Sequence, residues 1–187
     1  MIEPGPLPPA NASRMAGLSL LIYAGFALAG WAWLALRDRT SIIAGSALGE
    51  AGAVASLALG TGLGVLGASL AALAARYLGP WRLLEQGLAE LIGPLTERQI
   101  LVVAMTSGVG EEFFFRGAMQ DALGPWWTAL LFAVMHVGPG PLLLWPAVAG
   151  LIGLVFGQMV AAGSGLLAVS VAHALLNYLS LRRMVLR

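Results

Sequence analysis

Two adjacent carboxylates and an arginine lie within an apolar part of the chain, in the stretch SGVGEEFFFRGAMQ from Ser107 to Gln120. Arg116 follows Glu112 by four residues, so these two side chains share one face of a helix and can form an ion pair. Glu111 lies about 100° away from Glu112 around the same helix and has no comparable partner in the segment. A carboxylate without a fixed partner can accept a proton and return it. We therefore predict that Glu111 is catalytic and that Glu112 and Arg116 support the site.

The chain has two histidines, His136 and His173, and both fall in apolar segments. Asn177 follows His173 by four residues and so lies on the same helical face. Either histidine alone could be a hydrogen-bonding residue between helices, but polar side chains inside a membrane bundle gather around cavities or around one another. We therefore expect one hydrated pocket, lined by Glu111, His136, His173 and Asn177.

Two hydrolytic chemistries fit these residue types. In the first, Glu111 and a histidine activate a water molecule, while His173 and Asn177 donate hydrogen bonds to the developing oxyanion. In the second, zinc is held as His₂Glu with water in the fourth position, and its ligands are Glu111, His136 and His173. The chain lacks the HExxH zinc signature, and these ligands would come from three separate helices. Metal-free hydrolysis without a cofactor is therefore the preferred prediction, and zinc stays open.

The composition places these residues in a membrane protein. Of 187 residues, 59% are hydrophobic and 10% are charged, whereas charged residues make up about 25% of a typical soluble domain. The mean hydropathy is +0.86. The absence of cysteine excludes disulfides and thiolate chemistry. The arginines are scattered and the net charge is only +1, so nucleic acid is not an expected partner.

Apolar runs of about 20 residues predict the membrane spans. The predicted fold class is all-α: a polytopic membrane bundle of about six transmembrane helices. The fourth helix is short because GPGP interrupts it, so we expect it to end within the membrane, against protein or a water-filled cavity. The predicted spans cover residues 15–36, 51–75, 99–123, 126–137, 142–162 and 166–181.

Two further segments have a distinctive composition. Residues 76–98 mix Trp81, leucines and charges, which predicts an amphipathic helix lying in the membrane interface; an ordinary solvent-exposed linker helix is the alternative. The second span contains small residues that would let a neighbouring helix pack closely, namely Gly60, Gly62, Gly64 and Gly67.

The organisation predicted from these segments is one integral membrane domain over residues 1–187. It comprises two N-terminal spans within 15–75 and a motif-bearing core at 98–183. Because arginine is enriched in cytoplasmic loops, we expect both termini to be cytoplasmic, with Arg37 and Arg39 on the outer side. The arginines expected on the cytoplasmic side are Arg14, Arg76, Arg82, Arg98, Arg182, Arg183 and Arg187.

Three short motifs follow one another in the second half of the chain. EEFFFR fits the pattern EExxxR, FAVMH fits FxxxH, and HALLN fits HxxxN. In this order the motifs resemble those of the CPBP family, the CAAX-protease and bacteriocin-processing (Abi) intramembrane endopeptidases, from about Arg98 to the C-terminus. The resemblance implies a glutamic-type protease in which Glu111 is the catalytic glutamate and His136 helps to orient water. It also implies that His173 and Asn177 form the oxyanion hole.

The predicted function is hydrolysis of a peptide bond in a membrane-anchored peptide or protein, with the lipid bilayer as the other partner. A short, lysine-free chain with these motifs looks bacterial, which places it in the cytoplasmic (inner) membrane. The alternative is a non-hydrolytic membrane protein, either a proton-coupled transporter or a bacteriocin immunity or scaffold factor. A transporter more often shows inverted repeats, and a degenerate relative would be expected to lack one of the polar site residues. The sequence shows no inverted repeat, and none of the polar site residues is missing.

Overall fold

The computed structural model describes residues 9–50, 52–138 and 140–186. These residues form helices and short connections, with no β-strand among them, which confirms the predicted all-α fold class. Residues 1–8, Ala51, Pro139 and Arg187 lie outside the described residues. With them lie the first residue of the second predicted span, part of GPGP and the predicted cytoplasmic position of Arg187. The elements are α1 (Pro9–Leu36), α2 (Ser41–Ser46), α3 (Gly52–Tyr77), α4 (Gly79–Ile92), α5 (Glu97–Glu112), a π-helical segment (Phe113–Met119), α6 (Gln120–Met135), a 3-10 turn (Gly140–Leu144), α7 (Trp145–Ala161) and α8 (Gly165–Val185).

Four stretches of helix within the described ranges are long and apolar enough to cross a membrane. They correspond to the first, second, fifth and sixth predicted spans, so the helical membrane bundle is confirmed. The third predicted span is helical but carries several charges, and the fourth is short. Six crossings therefore remain a prediction. The four candidate spans are Ala16–Leu36, Gly52–Tyr77, Leu142–Ala161 and Gly165–Val185.

The amphipathic helix is shorter than the segment predicted at residues 76–98. Arg76 still belongs to α3, and α4 ends where Gly93 adopts a φ of 72°, a conformation that glycine accepts without a steric cost. Thr96 then begins α5 with a capping box, in which Thr96 and Gln99 each accept a hydrogen bond from the other's backbone N–H. The predicted segment is thus divided between three helices.

Helix α1 packs alongside α5 and the π-helical segment, and the helices run in the same direction. Ser19 and Thr106 hydrogen-bond through their hydroxyl groups at 3.1 Å, and the rings of Phe26 and Phe114 stack with centroids 5.1 Å apart. The paired residues are 87 and 88 positions apart in the sequence. A constant offset of this kind is the sign of a parallel pair, and it fixes which residue of α1 lies at each level of α5.

Helices α3 and α8 also run in the same direction, and glycines of α3 make their contact possible. A Cβ atom added at Gly60 would lie 2.4 Å from the carbonyl oxygen of Ala168, and one at Gly64 would lie 2.9 Å from that of Ala172. The predicted close packing is therefore present at these positions. It is absent at Gly62, where an added Cβ would meet nothing within 4 Å, because Gly62 lies on the other side of the helix.

Helix α6 is divided by Gly124, whose φ of 73° and ψ of 168° are not helical. Pro125 follows, so the helical run predicted over residues 99–123 ends where the sequence analysis places its end. The second part, residues 125–135, spans only about 16 Å at 1.5 Å per residue, about half of the 30 Å hydrocarbon core of a bilayer. His136 is the residue that caps it.

Charged side chains gather at two opposite ends of the bundle. At the end where α1 finishes, Arg37 and Arg39 bind Asp121 at 2.9 and 2.7 Å. Helix α5 begins at the opposite end, and the ion pairs there are Arg182–Glu97 and Arg183–Glu85. The apolar middle between two charged ends is the arrangement that a bilayer requires.

Candidate active site

Glu111 lies in the last turn of α5, where two glycines allow other helices to approach. A Cβ atom added at Gly108 would lie 2.5 Å from the backbone nitrogen of Ala174, and one at Gly110 would lie 2.8 Å from the Cβ of Tyr23. Real Cβ atoms do not tolerate such distances, so both positions require glycine for the observed packing. Helices α8 and α1 therefore reach the level of Glu111 from two sides.

The carboxylate of Glu111 is close to both histidines. Its Oε2 atom lies 3.8 Å from Nε2 of His173 and 4.0 Å from Nε2 of His136. These separations are too long for direct hydrogen bonds and are those at which one water molecule can contact both groups. Oε2 is buried and has no hydrogen-bond partner among the described residues. The structure thus brings three of the four predicted pocket residues together.

Glu112 and Arg116 form the ion pair that their spacing predicts, with a separation of 3.0 Å and both side chains fully buried. Arg116 also donates to the carbonyl oxygen of Gly153 on α7. The sequence did not show that Glu112 contacts His173, whose Nδ1 lies 2.7 Å from the same carboxylate oxygen. Since a carboxylate paired with arginine is an acceptor, Nδ1 carries the hydrogen. The ion pair of Glu112 and Arg116 therefore also orients His173.

His136 is held by its own helix. Its Nδ1 lies 2.7 Å from the carbonyl oxygen of Phe132, which can only accept a hydrogen bond, so Nδ1 is again the protonated nitrogen. The free Nε2 atom is then directed towards Glu111. Of Glu111 and the two histidines, His136 is the most accessible, with 18% of its side chain exposed, against 7% for Glu111 and 8% for His173. The site therefore opens at the end of the short helix.

Asn177 lies one turn beyond His173 on α8, as predicted, but its contact is with a residue that sequence reasoning missed. Its side-chain nitrogen donates to Oγ of Ser107 at 2.9 Å, and Ser107 donates to the carbonyl oxygen of Ala104 at 3.2 Å. One of the two amide hydrogens of Asn177 is thereby used. The other is not bonded to any residue that the structure describes, and it can be offered to a bound group.

Tyr23 is a second residue that sequence reasoning missed. The offset between α1 and α5 places it beside Gly110, and its phenol is near enough to the carboxylate of Glu111 to interact with it. Its ring meets the edge of Phe26 with centroids 6.0 Å apart. The only signal in the sequence is one tyrosine within an apolar span, and that signal does not indicate which helix it contacts.

The fit of the site to a metal ion depends on how closely its donors converge. In the described ranges no group of three or more histidine, aspartate or glutamate side chains is placed to hold a metal ion. Zinc–ligand bonds of about 2.0 Å put tetrahedral ligand atoms about 3.3 Å apart, and Glu111 Oε2 is farther than this from each imidazole, at 3.8 and 4.0 Å. As placed, Glu111, His136 and His173 do not form a zinc site.

Comparison with known proteins identifies a family for part of the chain. Residues 95–179 match the family model described as type II CAAX prenyl endopeptidase Rce1-like. All three motifs lie within this stretch, and the resemblance drawn from them is confirmed. No curated protein matches the chain, and no solved structure matches it.

Proposed function

We propose, on the premise that residues 95–179 are those of the type II CAAX prenyl endopeptidase Rce1-like family, that this chain is an intramembrane endopeptidase that uses Glu111 to activate water. Membership of that family implies protease activity. The observation that carries the finer proposal is the convergence of the Glu111 carboxylate with the Nε2 atoms of two histidines. The substrate we propose is a membrane-anchored peptide or protein, cleaved by water at one peptide bond.

The first chemical step is attack of water on the scissile carbonyl carbon. Glu111 accepts a proton from the water as the new carbon–oxygen bond forms, and His136 orients the water through its Nε2 lone pair. The result is a tetrahedral intermediate with a negatively charged oxygen and a protonated Glu111. Glu111 then returns the proton to the leaving amine nitrogen, and the carbon–nitrogen bond breaks to give a carboxylic acid and an amine. The acid passes its proton to the amine, so that the products are a carboxylate and an ammonium group.

The oxyanion is stabilised from α8. When its ring is protonated, His173 donates from Nε2, and the ionised Glu112 at its Nδ1 supports that charge. Asn177 contributes its second amide hydrogen. Such donors stabilise the transition state most when they are already oriented, because no reorganisation is needed as the charge develops. The contacts with Glu112 and Ser107 provide that orientation.

A metal-free reaction is proposed because the donor atoms converge with a spacing that suits water better than zinc. The measurement that tests this is the metal content of the purified, active protein. We expect less than one equivalent of zinc and no loss of activity after chelation. Stoichiometric zinc that a chelator removes together with activity would overturn the metal-free mechanism while leaving the protease proposal intact.

The decisive experiment identifies the substrate and tests Glu111 together. In a deletion strain, mass spectrometry of protein termini should show membrane proteins whose cleavage has been lost, and the wild-type gene should restore it. Glu111→Gln should restore none, because loss of a general base lowers the rate by roughly 10²–10⁴-fold, although the protein accumulates. Glu90→Gln removes an exposed carboxylate outside the site and should restore cleavage fully. Normal processing with Glu111→Gln would exclude the assigned role.

A further inference from the structure

Helix α4 presents three different surfaces. Leu84 is buried against the bundle, with 1% of its surface exposed. Leu83 is exposed and lies about 100° around the helix from Leu84. Leu91 is also exposed, but it is in the last turn, on the same side as Leu84. A polar row with a spacing of four residues lies beside Leu83 and is also exposed, consisting of Arg82, Gln86 and Glu90. A helix with exposed leucines next to an exposed polar row suits the membrane interface, where acyl chains meet headgroups.

A cleft of about 600 Å³ lies between this polar row and the end of α3. Its α3 side is formed by Ala72, Ala75 and Arg76, and its α4 side includes Arg82. The alanines leave space because their side chains are small. Two guanidinium groups therefore border a cavity at the level of the bundle where α3 ends and α4 begins.

The charge of this cleft is positive. Arg76 stacks on the ring of Tyr77, with its guanidinium carbon 5.5 Å from the ring centroid, and neither Arg76 nor Arg82 forms an ion pair with a carboxylate of the described residues. Glu85 also lines the cleft, but its carboxylate is bound by Arg183. Its negative charge is therefore compensated, and the charges of the two cleft arginines are not.

We propose that this cleft binds the phosphodiester headgroup of an anionic phospholipid between Arg76 and Arg82. Guanidinium groups bind phosphate oxygens through two parallel hydrogen bonds, and basic pockets between helices at the membrane surface suit anionic headgroups. Leu83 is exposed and directly follows Arg82 in the sequence, so it can contact an acyl chain of the same lipid. A free phosphate ion would use the arginines but not Leu83. The site does not depend on the proposed hydrolysis.

The test uses the full chain purified in a neutral detergent. We expect phosphatidylglycerol to raise the apparent melting temperature more than phosphatidylcholine with the same acyl chains, and inorganic phosphate to have no such effect. Native mass spectrometry should show one phosphatidylglycerol retained in preference to phosphatidylcholine. Equal retention of the two lipids by the wild-type protein would overturn the proposal without any variant, and an equal stabilisation by inorganic phosphate would show a phosphate site instead.

Two double variants separate a specific site from general attraction to negative charge. Arg76→Gln with Arg82→Gln should weaken phosphatidylglycerol binding by roughly tenfold or more, because charge-assisted hydrogen bonds are lost. Arg14→Gln with Arg98→Gln removes the same charge from exposed arginines outside the cleft and should leave binding within about twofold, since distant charges are screened. Equal weakening in both double variants, or undiminished binding in the first, would overturn the proposal.

Discussion

One oxygen of Glu112 accepts hydrogen bonds from both Arg116 and His173. The other oxygen of Glu112 and the Nε of Arg116 have no hydrogen-bond partner among the described residues. A buried ion pair of this kind adds little net stability, but the loss of one partner leaves an uncompensated charge in a medium of low dielectric constant. The pair is therefore more important for the orientation of His173 than for stability in its own right.

Replacing Arg116 by methionine should destabilise the folded protein by roughly 3–5 kcal/mol, because Glu112 would remain buried without its cation. The readouts are folded yield in detergent and apparent melting temperature. The double variant Arg116→Met with Glu112→Gln removes both charges and should recover most of the yield. It should recover less of the activity, since a neutral amide supports a protonated His173 less than a carboxylate does. A single variant as stable as the wild type would contradict this account.

Contacts between residues of one helix could be predicted from the sequence, and contacts between residues of different helices could not. The pair Glu112–Arg116 follows from a spacing of four residues. The contact of Glu112 with His173 joins residues 61 positions apart, and that of Ser107 with Asn177 joins residues 70 apart. Such pairings depend on how α5 and α8 are rotated against each other, and a single sequence does not state that rotation.

Among the elements, the π-helical segment Phe113–Met119 begins directly after Glu112 and contains Arg116, so it overlaps the EEFFFR motif. A π-helix inserts an additional residue into a helical turn, and such segments occur often at functional sites. Here Phe115, Arg116, Gly117 and Ala118 are all buried in succession. The sequence predicted an unbroken helix over residues 99–123, because the apolar composition of FFFRGAM is equally compatible with either form.

The contact between α3 and α8 can be tested with two glycines of the same helix. Gly64→Leu should destabilise the protein by roughly 1–3 kcal/mol or prevent folding, because overpacking forces the helices apart. Gly62→Leu should leave the melting temperature nearly unchanged, since its side chain would enter open space. Thermal unfolding in detergent measures both. Equal effects at the two positions would show that α8 does not pack on the Gly64 side.

The predicted packing glycines illustrate what can be inferred for an element. Their abundance indicated close helix contact, which Gly60 and Gly64 make. Their number did not reveal which side of α3 is buried, and Gly62 is on the opposite side. The short fourth helix was predictable, because Gly124-Pro125 before it and GPGP after it are local signals. Which helix packs against this short helix was not predictable from the sequence.

In the molecule as a whole, the ion pairs at each charged end join segments that are distant in the sequence. At the end where α5 begins, Glu97 accepts hydrogen bonds from Tyr178 and Arg182 of α8. First the Tyr178 hydroxyl and then Arg182 hold the pKa of Glu97 below its ordinary value of 4.5. A carboxyl group whose pKa is lower in the folded state contributes stability above its unfolded pKa and loses it as the pH falls through the folded value.

Glu97→Gln should therefore lower the melting temperature at pH 7, and the difference from the wild type should shrink as the pH falls below about 4.5. Glu90→Gln is a suitable control, because Glu90 is exposed and makes no ion pair among the described residues. High salt should reduce the effect at pH 7, since the pair is solvent-exposed. A difference that is constant between pH 7 and pH 3 would contradict the assigned contribution.

The parallel pairing of α1 with α5 and of α3 with α8 has a consequence for biosynthesis. Each of these pairs joins a helix made early to one made much later, so the first two spans leave the translocation machinery before their partners have been translated. Until then each is stable only as a separate helix surrounded by lipid. Assembly of the candidate site must therefore await the last helix, because a chain that ends before α8 has three of the four candidate spans but lacks His173 and Asn177.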